Sequence, residues 1–82
     1  MIENSYVVYT RHFDKDNMMI GADIDMAFGT YDDAEKLVNV RCEARISNGG
    51  YYEKDPRSNT WVVHKDDGSY IQHLIVATPF VW

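Results

Sequence analysis

Residues 60–77 constrain the fold more than any other part of the chain. Thr60-Trp61-Val62-Val63-His64-Lys65 and Ser69-Tyr70-Ile71-Gln72-His73-Leu74-Ile75-Val76-Ala77 flank Asp66-Asp67-Gly68, and both segments are apolar on their two alternating faces. β-Branched and aromatic runs on either side of an Asp-Gly pair predict a hairpin. Only one helical pattern exists elsewhere in the chain. One helix covers one face of a sheet, so the other face must be met from outside the domain. The hairpin therefore implies a homodimer or a protein partner.

Eighty-two residues make one domain, 1–82. A chain of this size buries roughly 60–65% of its unfolded surface and is marginal unless reinforced by a disulfide, a metal or oligomerisation. Cys42 is the single cysteine, which excludes a disulfide within the chain and favours a cytoplasmic setting. Cys42 itself reads as a small apolar packing residue. Met1-Ile2-Glu3-Asn4-Ser5 lacks the basic and apolar regions of a secretory signal, and the C-terminal apolar stretches are too short to span a bilayer. A soluble protein without membrane association is expected.

Ser5 to Phe13 reads as a strand, and Asp14-Lys15-Asp16-Asn17 as a hairpin connection. Alternation from Ile20 places Ile20, Ala22, Ile24, Met26 and Phe28 on one face, with Asp23 and Asp25 on a wet one. Thr30 can cap a helix with Asp33 three residues on, and Asn48-Gly49-Gly50 can end it near Ser47. Tyr51-Tyr52-Glu53-Lys54 suits a short edge strand, and Asp55-Pro56-Arg57-Ser58-Asn59 a turn. The expected architecture is α+β: a four- or five-stranded antiparallel sheet with a single helix, about residues 31–47, packed on one face, in the order β-β-α-(β)-β-β. Pro79 is expected to stop the last strand, leaving Phe80, Val81 and Trp82 to dock on this subunit, a twin or another protein.

Charge is unevenly distributed. The formal net charge is −5, which disfavours unaided nucleic-acid binding. Six aspartates, Asp14, Asp16, Asp23, Asp25, Asp32 and Asp33, precede a segment carrying Lys36, Arg41 and Arg45. Each acid has an ordinary role as a loop, wet-face or helix N-terminal residue, but together they offer an electrostatic surface to a basic partner. Arg41 and Arg45 fall within the apolar arc of Ala34, Leu37, Val38, Val40, Cys42 and Ala44. They either snorkel past the sheet edge or face an interface or an anionic ligand, to which the planar guanidinium is suited.

Chemistry-bearing motifs are absent. Asp14-x-Asp16 fails as a calcium loop, since Met18 occupies a ligand position and Met19 stands where the loop needs glycine. Counting out from Asp67-Gly68 puts His64 opposite Ile71 with His73 diagonal to it, a pair that still lacks a third zinc ligand. No nucleophile elbow or phosphate loop appears. The chain is thus read as non-enzymatic, with no cofactor and no metal.

Eleven aromatic residues exceed what one small core can hide. The reading is a small acidic protein-binding module, a homodimer and/or the partner of a protein with a basic surface. Such chains occur among accessory proteins of phages and mobile elements that sterically inhibit a host protein. The expected contact residues are the six aspartates, Arg41, Arg45, Trp61, Tyr70, Phe80 and Trp82. The alternative is a nucleic-acid-associated regulator using Arg11, Arg41 and Arg45.

Overall fold

A computed structural model describes the backbone of residues 2–81 and the side chains of residues 4–79. Five strands and one helix follow in the order β1 (Ile2–Phe13), β2 (Met19–Phe28), α1 (Tyr31–Arg45), β3 (Tyr51–Lys54), β4 (Thr60–His64) and β5 (Tyr70–Val81). All pair antiparallel in one sheet, with spatial order β2-β1-β5-β4-β3. This is the α+β fold expected, with the optional strand present.

Both long strands at the centre come from opposite ends of the described chain. β1 and β5 pair over twelve positions, Ile2 with Val81 through Phe13 with Tyr70. β5 does not stop at Pro79, which pairs with Asn4. β4 ends its pairing at Leu74, so Pro79 lies where β5 has a neighbour on one side only. A residue without an N–H is tolerated on such an edge.

α1 leaves the β2 edge and crosses the sheet to β3 at the opposite edge. Thr30 caps it as expected, its side chain accepting from the Asp33 N–H at 3.2 Å. Asp32 and Asp33 occupy the first turn, at the positive end of the helix dipole. The helix ends at Arg45, two residues short of Ser47, and Gly49 (φ +116°) and Gly50 (φ +89°) reverse the chain. A side chain at Gly50 would sit 2.3 Å from the His64 carbonyl, so glycine is required for close approach as well as for conformation.

The buried stripe of α1 is narrower than the apolar arc read from sequence. Ala34, Val38 and Cys42, spaced by four, face the sheet, whereas Val40 is 65% exposed and Ala44 is also exposed. Beneath them lie Val8 of β1, Trp61 and Val63 of β4, and Ile71 and Ile75 of β5. Small residues on the helix let it approach the larger sheet side chains closely.

Alternation in β2 is broken by a bulge. Val8 faces Met26, but the next residue, Tyr9, faces Ile24, which leaves Asp25 as the extra residue. Ile24 therefore shares a face with Tyr9, while Met26 and Phe28 share the helix side with Val8 and Tyr6. The single apolar face expected for Ile20 to Phe28 is split between the two sides of the sheet.

Candidate functional site

The β4–β5 connection sets the geometry of the uncovered face. It is a three-residue loop, Asp66-Asp67-Gly68: the Gly68 N–H bonds the Lys65 carbonyl at 3.1 Å, and Gly68 has φ +89°. The Asp67 carboxylate accepts from the Ser69 N–H at 2.8 Å and the Ser69 hydroxyl at 2.5 Å. Relative to the two-residue loop expected, one more residue shifts the register by one and turns the pairing over. His64 now faces Tyr70 and Trp61 faces His73.

This register lines rings up across the open face. Phe13 pairs with Tyr70, Tyr70 with His64 and His64 with Tyr51, linking β1, β5, β4 and β3. Phe13 and Tyr70 stack at 4.8 Å with an 8° interplanar angle, and Tyr51 and His64 at 4.6 Å and 20°. Met19 on β2 lies opposite Phe13 and continues the row to the other edge. At about 4.8 Å per strand, the row runs roughly 19 Å from edge to edge. Glu53 holds the His64 imidazole at 2.9 Å. Tyr51 and Met19 are each 59% exposed, so the ends of the row are its most accessible parts.

Met19 is one of a cluster. Of the eight exposed large apolar residues among those described, five lie between Met18 and Met26. They border the unpaired edge of β2 and a groove of about 610 Å³ lined by Tyr9, Phe13, Met19, Ala22 and Ile24, with Arg11 at its side. A long edge strand with exposed apolar side chains is a template for another chain.

The six aspartates do not make one compact patch. Asp14 and Asp16 sit in the β1–β2 turn beside Phe13, where the Asp14 carboxylate accepts from the Asp16 and Met18 N–H groups, each at 2.9 Å. Asp32 and Asp33 start the helix at the far end of β2, about 30 Å away by strand rise. Asp23 and Asp25 lie on the helix side of the sheet at the β2 edge, where Asp23 is exposed, as expected of a wet position, and Asp25, at the bulge, is half-buried. Asp66 and Asp67, in the neighbouring turn, join Asp14 and Asp16 at the end of the sheet that carries the aromatic row.

On the helix side, Asp25 belongs to a buried polar chain. Arg45 Nε–H donates to His73 Nε2 at 3.1 Å, and His73 Nδ1 meets Thr10 Oγ1 at 3.0 Å. The Thr10 hydroxyl donates to the Asp25 carboxylate. Because Nε2 accepts, the neutral imidazole carries its proton on Nδ1, and each group donates to the next from cation to carboxylate. His73 is fully buried. Burial pushes its pKa down to about 4, and the Arg45 and Arg41 charges act in the same direction. No buried side-chain polar atom among the described residues lacks a partner.

Several expected contact residues are placed elsewhere. Trp61 is 3% exposed beneath the helix and belongs to the core, whereas Tyr70 lies on the open face. Trp61 and Tyr70 therefore do not share a surface. Arg11 faces Gln72 on the open side, while Arg41 and Arg45 are on α1, so the three arginines expected of a nucleic-acid binder are not gathered. His64 and His73 occupy opposite faces and cannot share an ion. Among the described residues no three His, Cys, Asp or Glu side chains converge as metal ligands. Phe80 has its backbone in β5, but its side chain and all of Trp82 lie outside the described residues.

Sequence reasoning passed over Phe13, Met19, Tyr51 and His64 as a group, and Thr10 with His73. Each group is assembled by cross-strand register, for which no local pattern exists. No described helix is long and apolar enough to cross a membrane. No protein-family model matches the chain, and no curated protein or solved structure was found similar to it.

Proposed function

We propose that the chain is a small, non-enzymatic protein-binding module of the cytoplasm that acts by covering a surface of its partner. The observation that carries this reading is the apolar row Tyr51–His64–Tyr70–Phe13–Met19 on an uncovered sheet face, continuous with the exposed apolar edge of β2. Tyrosine and other flat rings give wide contact at low entropic cost and concentrate binding energy. Asp14, Asp16, Asp66 and Asp67 border that end of the sheet, which favours a partner presenting apolar side chains framed by lysine and arginine. The same acids, with a net charge of −5 per chain, disfavour a second copy.

Light scattering on a sizing column, across a wide concentration range, tests this first. A monomer throughout is expected. A persistent dimer dispersed by Met19→Lys with Tyr51→Lys would assign the row to a second copy and overturn the heterologous reading. Capture from the native host then provides the partner test. The double variant, folded by circular dichroism, should lose whatever the wild type retains, and added salt should release it. A complex indifferent to both would refute the proposal.

A further inference from the structure

Two arginines one turn apart on α1 and one lysine from the β4–β5 connection line a single cleft on the opposite side of the sheet from the aromatic row. Arg41, Ala44, Arg45 and Lys65 line a shallow, solvent-open cleft of about 340 Å³ there. Like charges four apart on a helix repel, and Lys65 adds a third cation from a separate element. Among the described residues, the one contact within 4.0 Å between a basic and an acidic side chain joins His64 to Glu53. None of the three cations therefore has a carboxylate of the described residues at that range.

Arg45 is also held in place. Its Nε–H is committed to His73 Nε2, which fixes the guanidinium on a fully buried imidazole and leaves the two terminal amino groups to donate elsewhere. A guanidinium ordered before its ligand arrives loses less freedom on binding. The negative end of the helix dipole lies nearby, but its carbonyls are partly occupied. The Ser47 N–H and hydroxyl both bond the Ala44 carbonyl, at 3.4 and 2.9 Å, and the Ile46 N–H bonds that of Cys42. Asp66 and Asp67 line the adjoining cleft with Arg45 and Lys65, and Glu43, between the two arginines on α1, accepts from the Tyr52 hydroxyl at 2.6 Å. Asp67 is tied to Ser69, and Asp66 lies against Gly49.

We infer that this cleft binds a phosphate-type oxyanion, with Arg45 as the fixed anchor and Arg41 and Lys65 closing on the remaining oxygens. Charge-assisted bonds from a planar fork and a mobile ammonium match the oxygen geometry of a phosphoryl group. The volume leaves room for a small organic group attached to it. The site is independent of the protein-binding row on the other face.

Titration of the full chain with inorganic phosphate and, separately, ribose 5-phosphate tests the inference, read by ¹⁵N NMR at the Arg45 Nε–H and the Lys65 amide. Sodium chloride at matched ionic strength is the control. Saturable shifts are expected with at least one phosphate probe, weakened about tenfold in Arg41→Gln and in Lys65→Gln. Neither substitution touches the Arg45–His73 bond, so an unchanged Arg45 Nε–H resonance in the free variants shows that the anchor survives. Tighter binding of the ester points to a phosphorylated small molecule, and equal binding to free phosphate; both support the site. Non-saturating shifts with both probes, shifts reproduced by chloride, or equal affinity in the variants would overturn it.

Discussion

Replacing Thr10 with valine keeps the side-chain shape and removes one hydroxyl from the chain Asp25–Thr10–His73–Arg45. The consequence falls mainly on His73. Its Nδ1–H loses an acceptor inside a fully buried environment. Moving the proton to Nε2 offers no escape, because Arg45 Nε–H is itself a donor and arginine has no acceptor. A buried donor left unpaired costs about 1–3 kcal/mol. Asp25 is half-buried at the β2 bulge and can turn toward water, so its loss adds little. Valine suits a strand and recovers a few tenths of that cost. The net expectation is about 2 kcal/mol, which for a chain of this length lowers Tm by roughly 8–16 °C. Urea unfolding measures it directly, with the midpoint falling and the slope unchanged. A double-mutant cycle isolates the mechanism. In a His73→Leu background there is no Nδ1–H to orphan, so Thr10→Val should cost less by about 1 kcal/mol or more. An equal cost in both backgrounds, or a cost below about 0.5 kcal/mol in the wild type, would refute the donor-to-acceptor chain.

Four further outcomes follow from the same structure. His73 has a folded pKa of about 4 against an ordinary value of 6.5; the unfolded chain takes up the proton first, so His73's contribution is full above pH 6.5 and falls as pH drops toward 4. The loss is about 3 kcal/mol, and urea midpoints across that window should decline less steeply in His73→Leu. Gly50→Ala should destabilise by more than about 1 kcal/mol, since φ is +89° and the new Cβ meets the His64 carbonyl. Gly29→Ala, with open space around it, should stay within about 0.5 kcal/mol by thermal unfolding. The Cys42 thiol is buried and pushed up to about 11, chiefly by desolvation; a thiol reagent near neutral pH should label native protein only at the rate at which it opens.

Local chemistry made much of the architecture legible. Thr30 with Asp33 marks the helix start because a cap is satisfied within four residues, and Asn48-Gly49-Gly50 marks its end because glycine takes the conformations that reverse the chain. The strands announce themselves through β-branched and aromatic runs, and the surplus of apolar strand faces over helix correctly implied an uncovered sheet face. The site was legible only in part. Tyr70 and Trp61 were both expected as contact residues; Tyr70 lies on that face, whereas Trp61 forms the floor beneath α1. The aspartates of the β1–β2 turn and the helix start were assigned to those places from sequence, but Asp25's part in the buried polar chain was not.

What the sequence determined by itself was the set of elements, their order and the mismatch between two apolar sheet faces and one helix. These depend on residues close together in the chain, where propensity, capping and turn chemistry act. Tertiary structure alone decided which side chain meets which. A three-residue loop at Asp66–Gly68 and a bulge at Asp25 each change the pairing by one position. Side chains alternate with a period of two, so one residue is the difference between Trp61 in the core and Trp61 on the surface. The same small shifts bring His73 under Arg45 and align Tyr51, His64, Tyr70 and Phe13 across four strands, because strand register is settled by the burial of the whole sheet against the helix.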